Sequence, residues 1–161
     1  QTNMKQLIFK LMATTGVRRT ELTRIKRKHI DLNNNCIFLD ETKTGNSRYL
    51  YLTDEVKELI KTELAIKPID NYFFVHLDGT RITTSTIDSL FHQIKKELNI
   101  KLSPHKLRHT FATAILENGG DLEQVRLLLG HTNYQCTKRY LHVKEKKLKD
   151  TSTNFNPLAS L

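Results

Sequence analysis

The sequence predicts a mainly α fold carrying one small antiparallel sheet near its front, an α+β class. Three observations lead there. Apolar residues recur at three- and four-residue spacing over most of the chain. Between residues 29 and 52 that spacing gives way to short alternating runs. Helix-start and helix-stop signals then punctuate everything after residue 100.

Leu7, Ile8, Leu11 and Met12 form one stripe, so Lys5 to Thr14 is expected to be a helix that ends at Thr15-Gly16. Thr20 to Ile25 reads as a second, short helix. His29 to Leu32, Cys36 to Leu39 and Arg48 to Leu52 read as strands, joined by Asn33–Asn35 and by the hairpin-like Thr42-Lys43-Thr44-Gly45-Asn46. Asp54 to Leu64 is helical, with Asp54 as its N-cap, and Pro68 breaks the pattern. Tyr72 to Val75 is a short apolar run. Ser85 to Leu98 returns to helical spacing.

Ser103-Pro104 reads as an N-cap followed by Pro at the first helical position, which opens a helix running to Asn118. Gly119-Gly120 stops it. Asp121 with Gln124 is a capping box for the next helix, which ends at Gly130. Thr132 can cap a further short helix holding Tyr140. Lys144 to Asp150 is basic and helical in pattern, and Asn154 to Leu161 is a tail.

A chain of 161 residues suffices for one domain with a core. No apolar run reaches the roughly 18 residues of a membrane helix, and no signal peptide pattern stands at the start. Cys36 and Cys136 lie far apart, lack the paired spacing of zinc sites and read as free thiols, which suits a reducing cytoplasm. The net charge of +9 favours a polyanionic partner, although a solvated Lys-rich surface would give the same number.

Pro104-His105-Lys106-Leu107-Arg108-His109 lies in the first turns of its helix, where N–H groups and dipole favour an anion. His105 and Arg108 are three apart and share a face. Such a pair suits a phosphate, but a basic helix surface would look similar. Gly16-Val17-Arg18-Arg19-Thr20-Glu21-Leu22 adds an Arg just after one helix-ending Gly. Leu129-Gly130-His131 adds a His just after another, nine residues before Tyr140.

The set Thr-Gly-x-Arg-x-x-Glu-Leu, His-x-x-Arg-His-x-Phe-Ala-Thr, Leu-Gly-His and a late Tyr resembles the tyrosine recombinases of phages, transposons and chromosome-dimer resolution. It resembles type IB topoisomerases more distantly. The resemblance covers nearly the whole chain, with the blocks in order. It implies a site-specific recombinase or integrase catalytic domain that cleaves and rejoins double-stranded DNA through a 3′-phosphotyrosyl intermediate.

Carried over, the resemblance makes Arg18 and Arg108 the clamp on the scissile phosphate. Lys43 is the general acid for the leaving 5′ oxygen. His105 belongs to the proton-transfer set, His131 is a second phosphate contact, and Tyr140 is the nucleophile. Glu21 is a carboxylate that orients Arg18 or a neighbour. No cofactor or metal is implied. Residues 1–161 would be the catalytic domain without its first helix and without the N-terminal helical domain. Residues 144–161 would be a tail able to pass between protomers of a tetramer on DNA.

Three points stay open on sequence alone. The Gly-x-Arg spacing favours Arg18, which would leave Arg19 as a backbone contact or a surface charge. A DNA-binding module of the same fold without activity is the alternative reading. His105 and His109, four apart, could also pair on a metal, but Lys106 stands where a zincin needs Glu, and a hydrogen-bonding role for His109 fits better. The pairs Ser103/Lys106 and Lys43-Thr44-Gly45 match β-lactamase motifs by chance, in reversed order.

Overall fold

The computed structural model describes residues 2–40, 47–66, 71–131 and 141–154. Its helices are α1 (Thr2–Thr15), α2 (Arg19–Leu22), α3 (Asp54–Ile66), α4 (Thr84–Leu98), α5 (Pro104–Glu117), α6 (Leu122–Leu129) and α7 (Leu141–Asn154). Between α2 and α3 lies an antiparallel sheet of β1 (Ile30–Asp31), β2 (Cys36–Leu39) and β3 (Arg48–Tyr51), in that order. The expected α+β class is therefore the observed one.

The main core forms where the α1 stripe meets the sheet, α3 and α4. Leu7, Ile8, Leu11 and Met12 are all sealed, together with Ile37, Leu50, Ile60 and Phe73. Each such side chain contributes roughly 1.5–3 kcal/mol through removal from water. A smaller cluster of Ala112, Leu116, Val125 and Leu129 joins α5 to α6. In β3 the alternation puts Arg48 and Leu50 inward and leaves Tyr49 and Tyr51 exposed. Tyr49 pairs across the sheet with Phe38.

Local signals explain most element ends. The Ser103 hydroxyl accepts from the Lys106 amide at 3.1 Å, and Pro104 opens α5. This capping role also accounts for the chance Ser-x-x-Lys match. Asp121 and Gln124 exchange the expected capping-box bonds at 2.8 and 2.9 Å. Asn99, at φ 51°, closes α4 in the left-handed conformation.

Four expectations need correction. The second helix spans Arg19–Leu22 rather than Thr20–Ile25, because Ile25 turns to accept a hydrogen bond from the Phe73 amide at 2.9 Å. The first strand is only Ile30–Asp31. His29 ends a 3-10 turn (Arg27–His29), and the Asp31 carboxylate turns the chain by accepting from the Asn34 amide at 3.0 Å. Asp54 is the first helical residue, while Thr53 Oγ1 caps by accepting from the Val56 amide at 3.3 Å. The helix expected over Lys144–Asp150 extends across Leu141–Asn154. The expected hairpin turn with Lys43, the Thr132 cap and the helix around Tyr140 lie outside the described residues.

Gly16 joins the two cores. It follows α1 at φ 67°, and a Cβ there would stand 2.6 Å from Leu129 Cδ2 and 2.7 Å from Phe111 Cδ1. Both the backbone conformation and the space demand glycine. Gly16→Ala is expected to lower the unfolding free energy by about 2 kcal/mol or more, measured by urea denaturation. A variant as stable as the parent would mean that the two clusters do not close at this residue.

Candidate active site

Three arginines meet at the ends of α1 and α6. Arg108 sits one turn into α5 and is buried, an expensive place for a charge unless it is well bonded. Its Nη1 donates to the Gly16 carbonyl at 2.6 Å and its Nη2 to the Leu129 carbonyl at 2.7 Å. These carbonyls terminate α1 and α6, where the helix dipoles are negative. Arg18, the residue before α2, reaches the same Leu129 carbonyl with Nη1 at 3.4 Å. Arg18 and Arg108 thus converge although they are 90 residues apart in sequence.

Like charges held this close need a counter-ion, and Glu21 supplies it. Its carboxylate is buried and takes Arg18 Nη1 at 2.8 Å and the Arg18 amide at 3.0 Å. On its other side Arg48 makes a two-pronged pair, with Nη1 at 2.9 Å and Nη2 at 2.8 Å, and Arg48 Nε donates to the Leu128 carbonyl at 3.0 Å. Burial alone would raise the Glu21 pKa. The hydrogen bonds and charge of Arg48, helped by Arg18, outweigh it and bring the carboxyl down to about 2.

Arg48 is the residue that the sequence reading passes over. The alternation Arg48-Tyr49-Leu50-Tyr51, which puts Arg48 on the face of Leu50, was the available signal, since a buried strand arginine requires a carboxylate. Gly130, at φ 68°, makes room for it: a Cβ there would fall 2.7 Å from Arg48 Nη1.

The cleft beside these arginines has a volume of about 530 Å³ and is lined by Arg18, Arg19, Asp88, His105, Arg108 and His131, among others. His131 is buried just past α6, and its amide donates to the Arg126 carbonyl at 3.0 Å. His105 is exposed at the start of α5, and its Nε2 lies 2.8 Å from His109 Nε2. Among the described residues no cluster of three or more His, Cys, Asp or Glu could hold a metal ion.

Arg19, at the same cleft, pairs with Asp88 on α4. Arg18 is bound to Glu21 instead and shares the Leu129 carbonyl with Arg108. Lys43 and Tyr140 lie outside the described residues. Another groove, of about 370 Å³, lies between α1, α3 and α4 and holds none of the expected site residues.

The depressed Glu21 pKa fixes the sign of a pH effect. Its contribution is full above about 4.5, the ordinary value, and is lost as pH falls toward about 2. Glu21→Gln is expected to cost roughly 3 kcal/mol at neutral pH, because Arg48 stays buried without a counter-charge. The variant should also show a flatter fall in stability between pH 4.5 and pH 2 in denaturation series. Equal acid sensitivity in both proteins would place the titration elsewhere.

The family model described as the phage integrase family matches residues 2–147. The tyrosine recombinase XerC of Staphylococcus carnosus is 35% identical over 161 aligned residues, covering 96% of this chain and 54% of that protein. The tyrosine recombinase XerA of Saccharolobus solfataricus is 36% identical over 141 residues, covering 86% of this chain and 45% of that protein. This chain thus spans about half the length of the curated relatives it matches.

A crystal structure of XerA recombinase superposes with a TM-score of 0.81 at 30% identity, covering 96% of this chain and 59% of that one. The XerH site-specific recombinase, bound to its difH substrate before cleavage, shares the fold at a TM-score of 0.77 and 24% identity, covering 96% of this chain and 47% of that one. A family match over most of the chain, joined to this fold and this convergence of arginines, leads to one conclusion: the chain belongs to the phage integrase family.

Proposed function

We propose that this chain is the catalytic part of a site-specific DNA recombinase or integrase that cleaves and rejoins strands by transesterification. The observation that carries the reading is the cleft where Arg18, His105, Arg108 and His131 come together across three separate segments. A phosphodiester gains charge on its non-bridging oxygens in the transition state, and paired guanidiniums suit that charge.

The Tyr140 phenol oxygen forms a bond to phosphorus as the bond to the 5′ oxygen breaks. That oxygen takes a proton from Lys43, and the phenol's proton passes to His105. The product is a 3′-phosphotyrosyl link, which conserves the ester for rejoining by a 5′ hydroxyl. A free phenol has a pKa near 10, so the surrounding cations are needed to make it reactive at neutral pH. Built-in cations supply the neutralisation that a metal would otherwise provide, so no cofactor enters the scheme. Glu21 holds Arg18 in place without touching the DNA, and Arg19 is left to the surface pair with Asp88.

Double-stranded DNA is the proposed partner, in line with the net charge of +9 and with relatives solved on DNA such as XerH. Four protomers on two duplexes, with the tail of residues 144–161 passing between them, complete the proposed assembly. Among the described residues no helix is long and apolar enough to cross a membrane, and a reducing cytoplasm is the proposed setting. Cys36 is a free, buried thiol, while Cys136 lies outside the described residues.

Nicked suicide substrates test the reading. The unsubstituted protein should accumulate a covalent DNA adduct visible by denaturing gel, and Tyr140→Phe should form none. Arg18→Gln should slow adduct formation on the order of a hundredfold or more, while Arg19→Gln should stay close to the parent. DNA binding without any adduct from the unsubstituted protein would favour the silent-module alternative. Adduct from the Phe variant would remove Tyr140 from the scheme.

A further inference from the structure

Resting on the transesterification reading above, we infer that His109 is a positioning residue that sets the tautomer of His105. The two rings stand on one face of α5, four residues apart, with centroids 4.4 Å apart and planes at 89°. Their Nε2 atoms are 2.8 Å apart, a full hydrogen bond. Such a bond needs one N–H and one lone pair, so both Nε2 atoms cannot be protonated together.

With Nε2 of His105 engaged by His109, Nδ1 is the His105 nitrogen left to meet a substrate. The cleft that His105 lines also holds Arg18, Arg19 and Arg108, with Asp88 as its acidic member. A cationic cleft favours a lone pair over an N–H directed toward it. His105 therefore donates its Nε2–H to His109 and keeps Nδ1 bare. That is the tautomer able to take the phenol's proton. After transfer the imidazolium is stabilised through the bond from its Nε2–H to His109 Nε2, and no further proton moves. His109 acts on the reaction through this bond, without touching the reacting atoms. Its place directly after Arg108 follows from helical spacing: position 109 faces 105, while position 108 faces the buried carbonyls of Gly16 and Leu129.

The test uses the nicked suicide substrate together with nitrogen-15 NMR of the histidine rings. In the unsubstituted protein the neutral His105 should carry its proton on Nε2. His109→Leu should mix the tautomers and slow adduct formation roughly tenfold at unchanged DNA affinity. His109→Gln, whose side-chain oxygen can accept the same proton, should return the rate to within about threefold of the parent.

A neutral His105 protonated on Nδ1 overturns the proposal. So does a Leu variant that cleaves at the parent rate, or a Gln variant as slow as the Leu variant while melting at the parent temperature. An unsubstituted protein that forms no adduct refutes the transesterification reading instead, and the ring tautomer then decides the inference alone.

Discussion

The structure turns on one buried carboxylate shared between two guanidiniums. Glu21 accepts from Arg18 on one side and from Arg48 on the other. Arg48 is buried and bonds Glu21 and the Leu128 carbonyl, so it acts as ballast that keeps Glu21 ionised. Arg18 is about a third exposed in its side chain and lies at the edge of the cleft. The carboxylate therefore offsets one positive charge in a group of three arginines and leaves the group cationic. In the proposed strand transfer, where negative charge grows on the phosphate oxygens, that imbalance would favour the transition state. A carboxylate matched to each arginine would cancel it.

The second constraint is the end of α6. Its last two carbonyls collect all three arginines: Leu128 takes Arg48, and Leu129 takes Arg108 and Arg18. Carbonyls at a helix C-terminus have no partners within the helix. Here they serve as a fixed negative edge that supports cations without neutralising them by formal charge. Gly16 and Gly130, both left-handed, allow this close approach. The site is thus assembled from helix ends, and the rigidity of the helices passes to the guanidiniums.

Much of this was readable in the sequence, for identifiable reasons. Local signals act over a few residues and carried over well: the Leu7 to Met12 stripe, the Ser103-Pro104 start, the Asp121 capping box and the β2 strand all appear where expected. The motif positions Arg18, His105, Arg108 and His131 line one cleft, and Glu21, expected to orient Arg18 or a neighbour, bonds both Arg18 and Arg48. Long-range pairing was not readable. Arg48 looked like an ordinary strand residue, because its partner lies 27 positions away and only the register of β3 turns it inward. The early end of α2 depends on Phe73, which is equally distant from any local rule.

In the proposed reaction Arg18 and Arg108, held by Glu21 and the α6 carbonyls, form the seat of the scissile phosphate. The most direct measurement is a crystal structure of the Tyr140→Phe protein on an intact recombination site. Non-bridging oxygens of one phosphate are expected within hydrogen-bond distance of both guanidiniums, with Arg18 still bound to Glu21. A phosphate seated on Arg19 instead, with Arg18 and Arg108 contacting protein alone, would contradict this seating.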